Sequence, residues 1–166
     1  GDSTGGAIAK RFAKEGFIAC VTRRSADKLQ PLVDSIRAEG GQAFGYVSDA
    51  RKEEDVAALF AQVEADHGPV EVLVFNIGAN VPCSILDETP RKYFKIWEMA
   101  CFSGFLMGRE TAKVMLTRGR GTIIFTGATA SLRGREGFAA FAGAKHALRA
   151  LAQSMARETW PKGIHV

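Results

Sequence analysis

Apolar and polar positions along this chain switch between a helical rhythm and short apolar runs. After the Gly-rich opening GDSTGG, Ala7, Ile8, Phe12 and Ala13 recur at helical spacing. Phe17 to Arg24 reads as a strand ending in two arginines. The next helix carries an inner stripe of Leu29, Leu32, Val33 and Ile36, with Ser25 as N-cap and Gly40 as its stop. QAFGYVSDA is a strand that ends at Asp49. Residues 52–66 form a helix with Val56, Leu59, Phe60 and Val63 inward, broken by Gly68-Pro69. VEVLVFNIGAN is apolar enough to be buried on both faces, and it turns at Asn76. Pro82 and Pro90 mark an irregular stretch before a long helix over residues 91–118, stopped by Gly119-Arg120-Gly121. Residues 121–155 read as a buried strand, a polar turn, a Gly-containing loop and an amphipathic helix, and GIHV begins another strand.

Strand and helix alternate in this way only when βαβ units build a parallel sheet. The fold class is therefore α/β: a Rossmann-like doubly wound parallel sheet in three α/β/α layers. Ligands of such sheets bind at the carboxyl ends of the strands. Arg23, Asp49, Asn76 and Thr126 all fall at such ends. The Gly-rich turn at the start of the first helix exposes backbone N–H groups where a phosphate can sit.

Composition narrows the function classes. The net charge is +4, and the 22 Lys and Arg are spread along the chain, so neither nucleic acid nor a membrane surface is indicated as a partner. Cys20, Cys83 and Cys101 are odd in number and contain no CxxC, which argues against a disulfide framework or a metal site and for the cytoplasm. His67, His146 and His165 have no ligand-like spacing. No apolar run approaches the ~18 residues of a membrane span.

The spaced motifs resemble the short-chain dehydrogenase/reductase family over essentially the whole chain. Gly1-Asp2-Ser3-Thr4-Gly5 resembles the latter part of a TGxxxGxG phosphate loop, with Ser3 in place of the middle Gly. Asp49-Ala50 resembles the acidic turn that holds an adenine. Asn76-Ile77-Gly78-Ala79 resembles an NNAG turn, and Phe141 to Lys145 occupies the place of a YxxxK motif. The resemblance implies one partial dinucleotide-binding domain over residues 1–166, lacking a first central strand before Gly1 and the sixth and seventh strands beyond Val166. It implies a dinucleotide held by Gly1, Ser3, Thr4, Gly5, Arg23, Arg24, Asp49, Ala50, Asn76, Gly78 and Lys145. Thr22-Arg23-Arg24 carries cations and no acid at the end of its strand, which favours a 2′-phosphate and hence NADP(H) over NAD(H).

The resemblance also assigns four catalytic positions, and three have changed chemistry. Lys145 is retained, but Phe141 stands at the Tyr position, Ala128 at the Ser position and Cys101 at the Asn position. Phe has no proton to give and Ala no hydrogen bond to offer. Thr126, Thr129 and Ser131 could replace the lost acid, although such hydroxyls commonly cap turns. Cys101 reads as a buried structural thiol, and His146, adjoining Lys145, as a solvated or interface histidine. Two readings follow: an NADP(H)-dependent oxidoreductase acting on a small carbonyl or alcohol by a modified mechanism, or a catalytically silent cofactor-binding protein with a scaffolding or redox-sensing role. A homodimer or homotetramer through residues 91–118 and 139–158 is implied by the resemblance.

Overall fold

The structure, a computed structural model, describes residues 3–166. The chain divides into two compact units. One runs to Asp49 and takes in Ala57–Gly68; the other is Ala50–Val56 with Pro69–Val166.

The first unit holds α1 (Thr4–Lys14), β1 (Ile18–Arg23), a 3₁₀ turn (Ala26–Lys28), α2 (Gln30–Ala38), β2 (Gln42–Val47) and most of α3 (Glu53–His67). β1 and β2 pair in parallel, from Ile18 opposite Gln42 to Arg23 opposite Val47. Ala9 and Ala13 of α1, Val33 and Ile36 of α2, and Ala19 and Ala43 of the strands form the core. The small alanines let α1 approach closely. α1 turns Gly6, Ala9 and Ala13 inward and leaves Ala7 exposed, so its stripe runs one row away from the sequence reading. Ser25 gives no side-chain cap: the 3₁₀ turn intervenes, and α2 begins at Gln30 with Pro31 in its first turn, where a missing N–H costs nothing. Gly40 follows α2 at φ +83°, the left-handed conformation that ends helices. Val56, Leu59, Phe60 and Val63 of α3 are buried, as their spacing requires.

The second unit holds β3 (Val72–Phe75), α4 (Pro90–Trp97), a π turn (Glu98–Phe102), α5 (Ser103–Leu116), β4 (Gly121–Phe125), α6 (Ala139–Thr159) and β5 (Ile164–His165). The strands are parallel in the order β3-β4-β5, with Val72 opposite Thr122 and Gly121 opposite Ile164. Only four residues of the apolar run 70–80 pair as strand; Val70 and Glu71 precede it, and residues 76–80 follow it without regular structure.

The long helix expected over 91–118 is present but interrupted. Thr89 caps α4 by accepting the Lys92 N–H at 3.2 Å, and Pro90 opens it. The π turn then inserts an extra residue per turn around Cys101. Glu98, its first residue, pairs with Arg51 at 3.5 Å and Lys95 at 3.4 Å. Beyond it, a Cβ on Gly104 would lie 2.6 Å from Leu148 Cδ1 and 3.1 Å from the Phe75 ring, so this residue's lack of a side chain lets α5 lie close to α6 and β3. Trp97, Phe102, Phe105, Phe138 and Phe141 are half-buried or exposed, and Trp97 packs against the buried cluster of Ala100, Cys101 and Ala144. Among the described residues, no helix is long and apolar enough to cross a membrane.

Candidate active site

In the second unit the parallel pairing of β3 with β4 sets their carboxyl ends side by side, with Phe75 opposite Phe125. The Thr126 N–H donates to the Phe75 carbonyl at 2.9 Å, so the chain leaves both strands in step. Asn76 and Ile77 follow β3 half-buried, and Gly78 is exposed. α6 then brings Lys145 to this edge. Its side chain is 4% exposed, and Nζ donates to the Thr126 carbonyl at 2.8 Å and the Ile77 carbonyl at 3.4 Å. The ammonium is thus clamped by the two strand ends. Burial pulls its pKa down, with the Cys101 sulfur opposing that effect.

Phe141 lies one helical turn before Lys145 on the same face. Its half-buried ring centroid is 5.9 Å from Nζ, and a Cβ on Gly78 would meet its Cε2 at 3.7 Å and the Lys145 Nζ at 4.0 Å. Gly78, Phe141 and Lys145 therefore form one contact group, which sequence spacing alone could suggest but not establish. Cys101 sits in the π turn at 7% exposure, packed with Ala100 and with Ala144, the neighbour of Lys145. Burial pushes its thiol pKa up, partly offset by the Lys145 charge. The thiol is a buried, weakly ionised group.

Ala128 follows β4 in extended conformation and is exposed. Its N–H donates to Ser131 Oγ at 3.1 Å, so the buried Ser131 closes the turn. Thr129 opens that same 3₁₀ turn. His146 is exposed, and its Nδ1 lies 2.8 Å from the Ala142 carbonyl of its own helix, which gives it a local partner.

The remaining predicted residues lie mostly in the first unit. Gly1 falls outside the described residues. Ser3 caps α1 by accepting the Gly6 N–H at 3.4 Å, Thr4 begins the helix and Gly5 is half-buried. The first turn of α1 carries no acidic side chain that would repel a phosphate. Arg23 ends β1 and Arg24 follows it, both exposed. Asp49 ends the first unit and Ala50 begins the second, both half-buried.

Ser48 was missed by sequence reasoning. It is 8% exposed, its N–H donates to the Arg23 carbonyl at 3.0 Å, and its Oγ is buried without a hydrogen-bond partner. A buried hydroxyl left unpaired at a strand end suits a site built for a polar ligand. Its parity with Phe44 and Tyr46 along β2 is the signal that could have found it. This orphaned hydroxyl, the acid-free start of α1 and the paired arginines fit the adenosine and phosphate part of a dinucleotide. The clamped Lys145 fits a ribose. Among the described residues, no cluster of three or more His, Cys, Asp or Glu could hold a metal ion.

The sequence matches the short chain dehydrogenase family over residues 1–166, and the chain belongs to that family. A crystal structure of a short-chain dehydrogenase from Rhodopseudomonas palustris is 56% identical, with a TM-score of 0.95 covering 100% of this chain and 78% of that one. A 7α-hydroxysteroid dehydrogenase complexed with NADH and 7-oxo glycochenodeoxycholic acid is 29% identical, with a TM-score of 0.89 over 95% of this chain and 61% of that one. A metagenomic short-chain oxidoreductase in complex with NADP is 28% identical, with a TM-score of 0.91 over 96% and 73%. The chain spans 60% of the length of the first curated relatives it matches. Its fold is the Rossmann-like parallel α/β fold of this oxidoreductase family.

Proposed function

We propose that this chain is the cofactor-binding core of an NADP(H)-dependent oxidoreductase that acts on a small carbonyl or alcohol without a side-chain acid. The buried Lys145, held by the Thr126 and Ile77 carbonyls where β3 and β4 end, carries this reading. A bound dihydronicotinamide supplies a hydride, two electrons and a proton together. Around it, Lys145 would hold the nicotinamide ribose, and Asn76 and Gly78 would border the ring. Ser3, Thr4 and Gly5 would face the pyrophosphate, with Ser48, Asp49 and Ala50 at the adenine. Arg23 and Arg24 would meet the 2′-phosphate as charge-assisted donors.

The altered positions change the proton chemistry. Phe141 and Ala128 offer neither acid nor hydroxyl, so they line the reacting centre without taking part in proton transfer. Positioned acids contribute about 10²–10⁴ in rate, and that contribution is absent here. One observation favours the silent cofactor-binding reading: Ser131 Oγ is taken up in accepting the Ala128 N–H, and Lys145 Nζ spends two of its three donors on backbone carbonyls. Turnover separates the two. With the full-length protein, a panel of carbonyl compounds and NADPH should show slow turnover that Lys145→Ala abolishes. Turnover absent in the native protein but gained by Phe141→Tyr with Ala128→Ser would establish the silent reading. For the cofactor, NADPH should bind more tightly than NADH, and Arg23→Ala should remove most of the difference; equal dissociation constants would falsify the preference.

Assembly into a homodimer or homotetramer through the faces of α4, α5 and α6 completes the reading. An aromatic row supports it: Phe94, Trp97, Phe102 and Phe105 follow one another at ring-centroid spacings of 5.8, 5.8 and 6.1 Å. Phe94 is 60% exposed and Phe105 36%.

A further inference from the structure

A carbonyl and a hydride do not make an alcohol until a proton arrives, and this site has lost the usual means of delivering one. Phe141 and Ala128 hold no exchangeable side-chain proton. The nearby Ser131 Oγ accepts the Ala128 N–H at 3.1 Å, and Lys145 Nζ donates to two carbonyls. Cys101 is buried among Ala100 and Ala144. What the site does offer is hospitality to positive charge. The half-buried Phe141 ring already lies 5.9 Å from one cation, and the face of an aromatic ring attracts another. The strand-end carbonyls of Ile77 and Thr126 meet the charge of Lys145, which reduces its repulsion of a second cation.

We propose that the substrate is a small, apolar iminium ion, the nitrogen analogue of a carbonyl, bound against the Phe141 ring. The choice rests on the oxidoreductase reading above. The reaction balances without an acid. Hydride forms one C–H bond at the iminium carbon, and the C=N π pair becomes the nitrogen lone pair. A neutral tertiary amine leaves, and the dihydronicotinamide is oxidised to the pyridinium. A ketone given the same hydride leaves an alkoxide that must take a proton from water. The altered residues therefore cost a ketone the acid's contribution of about 10²–10⁴ and cost an iminium nothing.

The test uses the full-length protein with NADPH, N-methyl-3,4-dihydroisoquinolinium and 2-tetralone, a neutral ketone of similar size. The expected result is a kcat/KM for the iminium at least ~100-fold above that for the ketone, once the solution rates are subtracted. Phe141→Tyr with Ala128→Ser should raise the ketone rate and narrow the ratio. A binding measurement checks the same idea without turnover. Calorimetry on the NADP⁺-loaded protein should detect the unreactive N,N-dimethyl-tetrahydroisoquinolinium, and Phe141→Leu, verified as folded by circular dichroism, should weaken it about 2- to 30-fold. Ketone turnover equal to or above that of the iminium overturns the proposal and leaves the oxidoreductase reading standing. Cation affinity indifferent to Phe141→Leu also overturns it. If NADPH binds and neither compound is reduced, the oxidoreductase reading itself falls, and the proposal with it.

Discussion

Phe141 and Lys145 are one turn apart on α6, and between them they set the chemistry proposed for this site. Lys145 keeps its place through two backbone acceptors at 2.8 and 3.4 Å, which need only the ends of β3 and β4 to be where they are. Phe141 brings an aromatic ring and no exchangeable side-chain proton. A different residue-scale consequence lies in the first unit. Tyr46 donates to Asp66 at 2.9 Å and lies 2.8 Å from His67 Nε2. Burial, then this bond to Asp66, pushes the Tyr46 phenol well above its ordinary value. Burial, with Asp66 adding to it, raises the Cys20 thiol from 9.0 to about 11. Both groups hold their protons more tightly when folded than when unfolded. Between pH 9.0 and about 11 the unfolded chain therefore binds fewer protons, and stability falls as pH rises through that window. Denaturant midpoints measured on either side of it should drop in the native protein, and Cys20→Ala should flatten the drop. An unchanged slope in that variant would assign the alkaline loss elsewhere.

At the scale of elements, the π turn is the departure from regular geometry that matters most. It places Cys101 beside Ala144 in the middle of what periodicity reads as one helix. Periodicity does not mark it, because Met99, Ala100, Cys101 and Phe102 follow one another as an unbroken apolar run and leave no visible break in the stripe. The turn into β5 is equally specific. Gly163 has φ +88°, and a Cβ there would lie 1.9 Å from the Gly119 carbonyl oxygen. A backbone atom cannot rotate aside as a side chain can. Gly163→Ala should therefore destabilise the protein by about 1–3 kcal/mol, read as a lower denaturation midpoint. Gly134, with nothing within 4 Å of its Cβ position and no positive φ, should accept Ala at little cost, and is the control.

At the scale of the whole molecule, the aromatic row of α4, the π turn and α5 bears on assembly. Four neighbouring rings, two of them exposed, form an apolar surface of the kind that marks interfaces. Phe94→Glu with Phe105→Glu should shift the full-length protein toward monomer in sedimentation while its circular dichroism is kept. An unaltered sedimentation profile would remove this face from the interface. Much of the molecule was legible in the order of residues. Strand and helix alternation determined the parallel α/β class, since period and length need only local sequence. The buried stripe of α3 was equally plain, and so was the lack of an exchangeable side-chain proton at Ala128 and Phe141, because side-chain chemistry is written in residue identity. The tertiary structure alone decided which groups meet. It clamped Lys145 on carbonyls 19 and 68 residues away, left the Ser48 hydroxyl buried and unpaired, and brought the Phe141 ring near Gly78. The physical reason is that main-chain acceptors look alike in every sequence, and only packing determines which of them a buried charge will find.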